Sequence, residues 1–158
     1  MGLLGPFVGR LVDQRGARFV LVPGTIITAI ALWSMGLFTD TSLMWQVIAT
    51  HLALSLGLAG VFTPLFTVAL GSLPGRLASH GSATISTVQQ VAGAAGTALF
   101  VTVMALVSTA VAGSPEAVDP HALAAGTRVA FIIGGAAATV GAILAFFITE
   151  PTPEPETV

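Results

Sequence analysis

Ionisable side chains are rare in this sequence, and a third of them lie in one short segment. Residues 9–18, GRLVDQRGAR, contain four of the twelve Asp, Glu, Lys and Arg residues in a chain of 158. The carboxylate of Asp13 could pair with Arg15 or Arg18, or lie against the positive N-terminus of a neighbouring helix. The chemistry that this pattern favours is a breakable electrostatic contact between two parts of the protein.

The other polar candidates lie singly or in pairs within apolar sequence. Gln89 and Gln90 are adjacent, and consecutive residues of a helix point about 100° apart, so both cannot face one partner. One could hydrogen-bond a substrate in a central cavity while the other bonds a neighbouring helix; alternatively, both are hydrated near the membrane interface. His51 could handle protons, or it is a hydrogen-bonded packing residue.

Catalysis and metal binding are not expected from these residues. An enzyme embedded in a membrane would need clustered His, Asp or Glu at membrane depth, and the sequence has no such cluster. His80 and His121 are too far apart in sequence to suggest a metal site. We therefore predict no enzyme, no metal and no cofactor, and the lack of a basic run argues against a nucleic-acid partner.

The segments between the charged residues indicate a membrane protein whose surroundings include lipid. The chain is 8% charged and 54% hydrophobic, with a mean hydropathy of +0.95, whereas a soluble domain is about a quarter charged. Four stretches lack Asp, Glu, Lys and Arg, and each is long enough for the ~20 apolar residues that cross a bilayer. They are residues 19–39, 41–75, 77–115 and 129–149.

These stretches predict helices, because lipid requires every backbone polar group to be bonded internally. Segments such as VTVMALVSTAVAG do not alternate as barrel strands do. We therefore predict an all-α, polytopic transmembrane helical bundle. The end of a fifth helix is expected in residues 1–12, and the Pro- and Glu-rich tail, residues 150–158, is expected to be disordered. The predicted spans are residues 19–38, 44–72, 84–112 and 128–149.

The charges of the loops predict the orientation of these spans. The first and third loops are basic, through residues such as Arg10 and Arg76, while the second and fourth carry Asp40, Glu116 and Asp119. The positive-inside rule then places the first and third loops in the cytoplasm. The expected location is the cell membrane, with several passes and a cytoplasmic tail.

The segment GRLVDQRGARFVL resembles the cytoplasmic-loop signature of the major facilitator superfamily. Gln14 and Ala17 depart from it, since Arg or Lys is usual at these positions, and such departures suit the weaker copy in the C-terminal half of the family. The residues that stand where the pattern places them are Gly9, Leu11, Asp13, Gly16, Arg18 and Leu21.

Residues 57–99 resemble the late helices of multidrug exporters in the fourteen-helix drug:proton antiporter branch. In that branch a Gly-rich helix with a central Pro ends in a Leu-Pro turn, and a later helix bears Gln-Gln and a Gly-Ala-x-Gly face. The chain is thus identified as the final four helices and the end of a fifth. The matching residues are Gly57, Gly60, Pro64, Leu73, Pro74, Gly81, Gln89, Gln90, Gly93 and Gly96.

The resemblance implies that the loop around Asp13 is a conformational latch between two helical bundles, with Arg15 and Arg18 beside it. Gly9 would let two helices approach closely, and Gly16 would permit the tight turn. The alternative is a solvated loop whose Arg residues only set the orientation.

Pro64 lies inside a predicted helix, where it removes a hydrogen bond and crowds the carbonyl group of Gly60. Thr63 and Thr67 are candidates to satisfy that freed carbonyl group. Gly60 and Pro64 would form either a hinge that lines the substrate path or a static kink that shapes packing. The residues that could face a cavity are Thr63, Phe66, His51, Gln89 and Gln90.

Small residues on the last two spans predict helix packing, because helices in lipid associate through close van der Waals contact. Gly93 and Gly96 mark one such surface, and Gly134 and Gly141 mark another.

The predicted function is proton-coupled export of drug-like or amphipathic small molecules by alternating access, as part of a longer chain. The missing N-terminal transmembrane half would be the partner of this segment, and it would supply the proton-carrying group, since no predicted span has a charged residue in its middle. The alternatives are a uniporter or symporter of a small metabolite, and a small membrane subunit that transports nothing.

Overall fold

The structure, a computed structural model, describes residues 5–39, 42–114 and 119–148. These residues form five α-helices and a short 3₁₀ turn, Gly75–Leu77, with no strand among them. The protein is therefore all-α, as the sequence predicts. The tail, residues 150–158, lies outside the described residues. The helices are α1 (Gly5–Arg15), α2 (Ala17–Gly36), α3 (Met44–Gly71), α4 (Ala78–Ala112) and α5 (Pro120–Ala145).

Four segments are long and apolar enough to cross a membrane, which makes the chain a multi-pass membrane protein. Large apolar side chains cover their outer surfaces; Leu52, for example, is 64% exposed. Such a surface is suited to lipid because lipid tails are as apolar as these side chains. The segments are Ala17–Gly36, Met44–Gly71, Gly75–Ala112 and Pro120–Ala145.

Two helices begin earlier than the predicted spans. Helix α4 begins at Ala78 and not near residue 84, and α5 begins at Pro120 and not near residue 128. The carboxylate of Asp119 accepts a hydrogen bond from the backbone N–H of His121 (3.0 Å), and Pro120 follows it at the helix start. For α5, the stretch without charge marks only the part of the helix that is in hydrocarbon, and the helix continues beyond that part; α4 begins inside its charge-free stretch, residues 77–115.

The four long helices form a row in the order α3, α2, α5, α4. Helix α2 packs against both α3 and α5, whereas α4 packs mainly against α5. Helix α1 lies against the first turns of α2 and the last turns of α3. We name this end of the bundle the Gly16 end, and the opposite end, where α5 begins, the Asp119 end.

Close approach of backbones joins α2 to α3. A Cβ atom added at Gly24 would lie 2.8 Å from the carbonyl carbon of Gly60, and one added at Gly57 would lie 2.8 Å from the backbone nitrogen of Thr28. The buried hydrophobic residues of the protein are mostly alanines. Packing through small residues is what holds helices together where lipid removes the hydrophobic driving force.

Candidate functional site

The charged segment forms a sharp corner between two helices. Gly9, Asp13 and Arg15 lie on α1, Arg18 lies in the first turn of α2, and Gly16 alone joins the two. The φ angle of Gly16 is 86°, which side-chain-bearing residues rarely adopt. The fifth helix, expected to end within residues 1–12, continues to Arg15, so that Asp13 lies on α1; the charge of Arg15 suits the negative C-terminal end of that helix.

Arg15 is paired with an aromatic ring. Its guanidinium carbon lies 5.0 Å from the centroid of the Phe19 ring, a geometry in which the cation is attracted to the face of the ring. The side chain of Asp13 is exposed. Its carboxylate is thus accessible to another segment, and its role as a latch stays a prediction.

Gly60 and Pro64 lie where α3 crosses α2. Pro64 is inside the helix, as predicted, and is among the most deeply buried side chains. Because Pro64 has no N–H, the carbonyl group of Gly60 loses its usual helical donor. A Cβ atom at Gly24 would lie 2.8 Å from the carbon and 2.9 Å from the oxygen of that carbonyl group, so the backbone of α2 lies directly against it.

The threonines near Pro64 do not take over the freed carbonyl group in the way the sequence suggests. The hydroxyl of Thr67 donates to the carbonyl oxygen of Thr63 (3.1 Å) instead of that of Gly60. Thr63 and Phe66 are half-buried on α3. Gly24 was not predicted from the sequence as a helix contact. Gly24 and Thr28 nevertheless have the four-residue spacing of small residues that is typical of close helix crossings.

Residues 86–99 of α4 lie apart from the other helices, whereas Gly81, near the start of α4, lies against Leu73 and Leu70. Residues 86–99, which include Gln89 and Gln90, are exposed on every side of the helix. A Cβ atom added at Gly93 or Gly96 would meet nothing within 4 Å among the described residues. Packing at these two glycines therefore stays a prediction for a segment beyond this chain.

The other predicted site residues do not meet one another either. His51 is exposed on α3, near the Asp119 end, and lies far along that helix from Thr63 and Phe66. Gly134 and Gly141 on α5, like Gly93 and Gly96 on α4, would accept a Cβ atom without contact among the described residues. The structure thus does not bring the predicted cavity residues together within this part of the protein.

Helix α5 contacts α2 through glycines that the sequence analysis did not name. Gly36 lies against Ile132 and Gly135 lies against the ring of Trp33. The indole N–H of Trp33 donates to the hydroxyl oxygen of Thr139 (3.1 Å), and the Nε of Arg128 donates to the carbonyl oxygen of Gly36 (2.9 Å). These contacts fix α5 against α2 over the half nearer the Asp119 end.

A groove separates α2 from α3 at the Asp119 end. Its deeper part, a cleft of about 280 Å³, is lined by Ile27, Ile30, Ala31 and Ser34 of α2, and by Ala49, Thr50 and Ala53 of α3. Its mouth, a cleft of about 360 Å³, adds Phe38, Ser42, Trp45 and Gln46. The lining of the groove is mostly apolar in its depth and mixed polar and apolar at its mouth, and none of the predicted cavity residues lines it.

The chain matches the Major Facilitator Superfamily over residues 1–158. It is 35% identical over 151 residues to the lincomycin resistance protein LmrB of Listeria innocua, covering 93% of this chain and 32% of that protein. It is 36% identical over 152 residues to LmrB of Bacillus subtilis, with the same coverage of both chains. No solved structure matches the chain.

A protein named as a riboflavin transporter is also similar over part of the chain. The riboflavin transporter RibZ of Clostridioides difficile is 28% identical over 100 residues, which cover 63% of this chain and 22% of that protein. The chain spans about a third of the length of the lincomycin resistance proteins that it matches.

Proposed function

The chain belongs to the major facilitator superfamily, and we propose that it is the C-terminal part of a longer exporter of drug-like or amphipathic compounds. The observation that carries this proposal is the similarity over 93% of the chain to proteins named for lincomycin resistance. No catalytic step is part of the proposal, because a transporter of this kind moves its cargo by changing conformation.

Alternating access requires two bodies that rock against each other around a central site. The five helices are suited to one such body, since close backbone contacts join α2 to both of its neighbours and the second half of α4 to α5. The first part of α4 is the surface most available to the other body, because residues 86–99 are exposed throughout. In this proposal the N-terminal transmembrane half covers α4 and one glutamine, Gln89 or Gln90, faces the cargo.

The Gly16 end supplies the proposed latch. Asp13 is exposed on α1, and α1 is held against α2 because Val12, Ala17 and Val20 pack in one buried cluster beside the corner at Gly16. A carboxylate held in this way can bind the N-terminus of a helix in the other body and release it when the transporter changes its face. The hinge is proposed at Gly60 and Pro64. Thr63, Phe66 and His51 are proposed to face the cavity that holds the cargo.

Proton coupling is proposed for the complete transporter and not for this segment. We place the group that gains and loses the proton in the part of the complete transporter outside this chain, because the long apolar stretches of this chain contain no Asp, Glu, Lys or Arg. These stretches are residues 19–39, 41–75, 77–115 and 129–149. We further propose that the protein resides in the cell membrane with the Gly16 end and the tail in the cytoplasm, as the arginines of the first loop favour.

The test begins with the size of the native product, measured with an antibody against the tail EPTPEPETV. We expect a band about three times the 15.9 kDa of this chain. Inverted membrane vesicles that contain this product should then accumulate lincomycin when a proton gradient is applied, and collapse of the gradient should stop accumulation. Vesicles without the protein are the control.

Two results would contradict the proposal. A native band near 15.9 kDa would favour a small membrane subunit. Accumulation of riboflavin but not of lincomycin, which the similarity to RibZ makes worth measuring, would favour a metabolite transporter.

A further inference from the structure

Arg128 is the one arginine of this chain that lies toward the Asp119 end of the bundle. The chain has no lysine, and its other four arginines lie at the Gly16 end, on α1, at the start of α2 and in the 3₁₀ turn. Arg128 is exposed on α5. Its charge is therefore not part of the basic cluster that sets the orientation, and it needs a separate explanation. The four other arginines are Arg10, Arg15, Arg18 and Arg76.

The hydrogen bond between Arg128 and Gly36 places the guanidinium group at the boundary of the hydrocarbon core. Helix α2 has 20 residues, so its length is about 30 Å at 1.5 Å per residue, which equals the ~30 Å thickness of that core. Gly36 is the last residue of α2, and the Nε of Arg128 donates to its carbonyl oxygen (2.9 Å). The guanidinium group is therefore at the depth where hydrocarbon meets the headgroups of the lipids.

This bond orients the guanidinium group and leaves most of its bonding capacity. A guanidinium group has five N–H donors, and the bond to Gly36 uses the one on Nε. The two terminal nitrogens carry the other four donors, in the fork geometry with which arginine binds phosphate. Asp119 lies nine residues earlier, at the start of α5, which is about 13.5 Å along the helix axis. Arg128 is thus an exposed and oriented cation that is suited to an anion at the membrane boundary.

An exposed apolar stripe on α2 leads from this guanidinium group toward the middle of the membrane. Its four side chains are spaced at i, i+4, i+7 and i+11, so they share one face of the helix, and they are between 39% and 65% exposed. The stripe is about 16 Å long at 1.5 Å per residue, which is about half of the ~30 Å hydrocarbon core and hence the depth of one leaflet. Its residues are Ile26, Ile30, Trp33 and Leu37.

Trp33 joins this stripe to the helix that carries Arg128. Its ring lies against Gly135, and its indole N–H donates to the hydroxyl oxygen of Thr139 (3.1 Å). Gly135 and Thr139 follow Arg128 by seven and eleven residues, so the three share one face of α5. Tryptophan is also typical of the membrane interface. The stripe and Arg128 therefore form one continuous surface along the contact of α2 with α5.

We propose that this surface binds one anionic phospholipid of the leaflet at the Asp119 end. The terminal N–H groups of Arg128 bind the phosphate group, and an acyl chain lies along the stripe from Leu37 to Ile26. A headgroup without its own cation, such as that of phosphatidylglycerol, is favoured over phosphatidylcholine, because the choline cation would lie close to the like charge of Arg128. The inference concerns the lipid around the protein and does not depend on the cargo.

The experiment is photolabelling of the complete protein in phosphatidylcholine vesicles that contain a small fraction of phosphatidylglycerol. The phosphatidylglycerol carries a photoactivatable diazirine in one acyl chain. Irradiation, digestion and mass spectrometry then give the yield of lipid adducts on residues 26–37. The measurement is repeated with the diazirine on phosphatidylcholine. Leu52 on α3 and Val140 on α5 are exposed apolar residues outside the stripe, so adducts on them report general contact with lipid.

Three variants separate the charge of Arg128 from its structural role. Arg128→Gln removes the charge but keeps an N–H donor for the carbonyl group of Gly36, and Arg128→Lys keeps the charge. Arg76→Gln is the matched control, because it removes the same charge from an exposed arginine at the opposite end of the bundle.

Relative to Leu52 and Val140, phosphatidylglycerol should label residues 26–37 about fivefold more than phosphatidylcholine does, the factor that one cation near an anionic lipid contributes. Arg128→Gln should remove this preference, whereas Arg128→Lys and Arg76→Gln should keep it. Equal labelling by the two lipids in the parent protein, which requires no variant to fold, would overturn the inference. An undiminished preference in Arg128→Gln would also overturn it, as would loss of the preference on addition of inorganic phosphate, since phosphate alone would then be the ligand.

Discussion

The backbone of Gly24 lies against the carbonyl group of Gly60, so that a Cβ atom added at Gly24 would lie 2.8 Å from its carbon and 2.9 Å from its oxygen. This carbonyl group is the one that Pro64 deprives of its helical donor. Pro64 and Gly24 therefore act together. Pro64 leaves the carbonyl oxygen of Gly60 without its helical donor, and Gly24, which has no side chain, lets α2 approach that carbonyl group. The crossing of α2 and α3 is consequently a tight contact as well as the proposed hinge.

Replacement of Gly24 by alanine should separate α2 from α3. The added methyl group would lie 2.8 Å from the carbonyl carbon of Gly60, and a backbone atom cannot move aside as a flexible side chain can. Overpacking of this kind costs about 1–3 kcal/mol. Thermal unfolding of the complete protein in detergent should show a lower Tm. The matched control is Gly71→Ala on α3, where nothing lies within 4 Å; equal loss in both variants would contradict the prediction.

The hydrogen bond between Trp33 and Thr139 should contribute measurably to the contact of α2 with α5. Trp33→Phe removes the N–H donor but keeps a ring against Gly135, and Thr139→Val removes the acceptor. A double-mutant cycle on unfolding should give a coupling free energy of about 0.6 kcal/mol, and up to ~1.7, as such bonds do in membrane proteins. Additive effects of the two substitutions would show that the bond contributes nothing.

Gly16→Ala should disturb the corner between α1 and α2. The φ angle of 86° is accessible to glycine without strain, whereas a residue with a Cβ atom pays about 1–3 kcal/mol there. We expect faster proteolysis between α1 and α2 and slower transport by the complete protein. Gly75→Ala is the control, since Gly75 lies at the same end and has ordinary backbone angles. Unaltered cleavage and transport in Gly16→Ala would argue against a rigid corner.

Asp13→Asn in the complete transporter should slow transport while leaving membrane insertion intact. The substitution keeps the size of the side chain and removes the charge that the proposed latch needs. Efflux rates are to be measured at matched amounts of protein in the membrane. Unchanged rates would exclude the latch, and the Arg15 contact with Phe19 would then be the main feature of this corner.

Gln89→Ala and Gln90→Ala should differ in their effects on transport. The two side chains point about 100° apart on α4, so only one can face the cargo if residues 86–99 line the central cavity. We expect one variant to raise the KM for lincomycin and the other to leave it unchanged. Equal KM values in both variants and in the parent protein would mean that neither glutamine contacts the cargo.

Much of the secondary structure could be predicted because lipid leaves few alternatives. Long charge-free stretches predicted four helical spans, and Pro64 was correctly expected inside one of them. Helix α5 begins before its predicted span because it continues past Arg128, and charge reports the hydrocarbon boundary and not the helix start, whereas α4 begins inside its charge-free stretch, residues 77–115. The Asp119–Pro120 pair carried the missing information, since a side-chain cap followed by proline is a strong start signal.

The sequence by itself determined that this chain is a helical membrane protein, because apolar segments of this length must bond their own backbone groups in lipid. It also contained the family resemblance. Which small residues pack was decided only by the tertiary structure. Gly93 and Gly24 look alike in sequence, yet Gly93 has nothing within 4 Å among the described residues and Gly24 touches the backbone of Gly60. The reason is physical: a glycine permits close approach, but the partner is brought there by the arrangement of the whole helices.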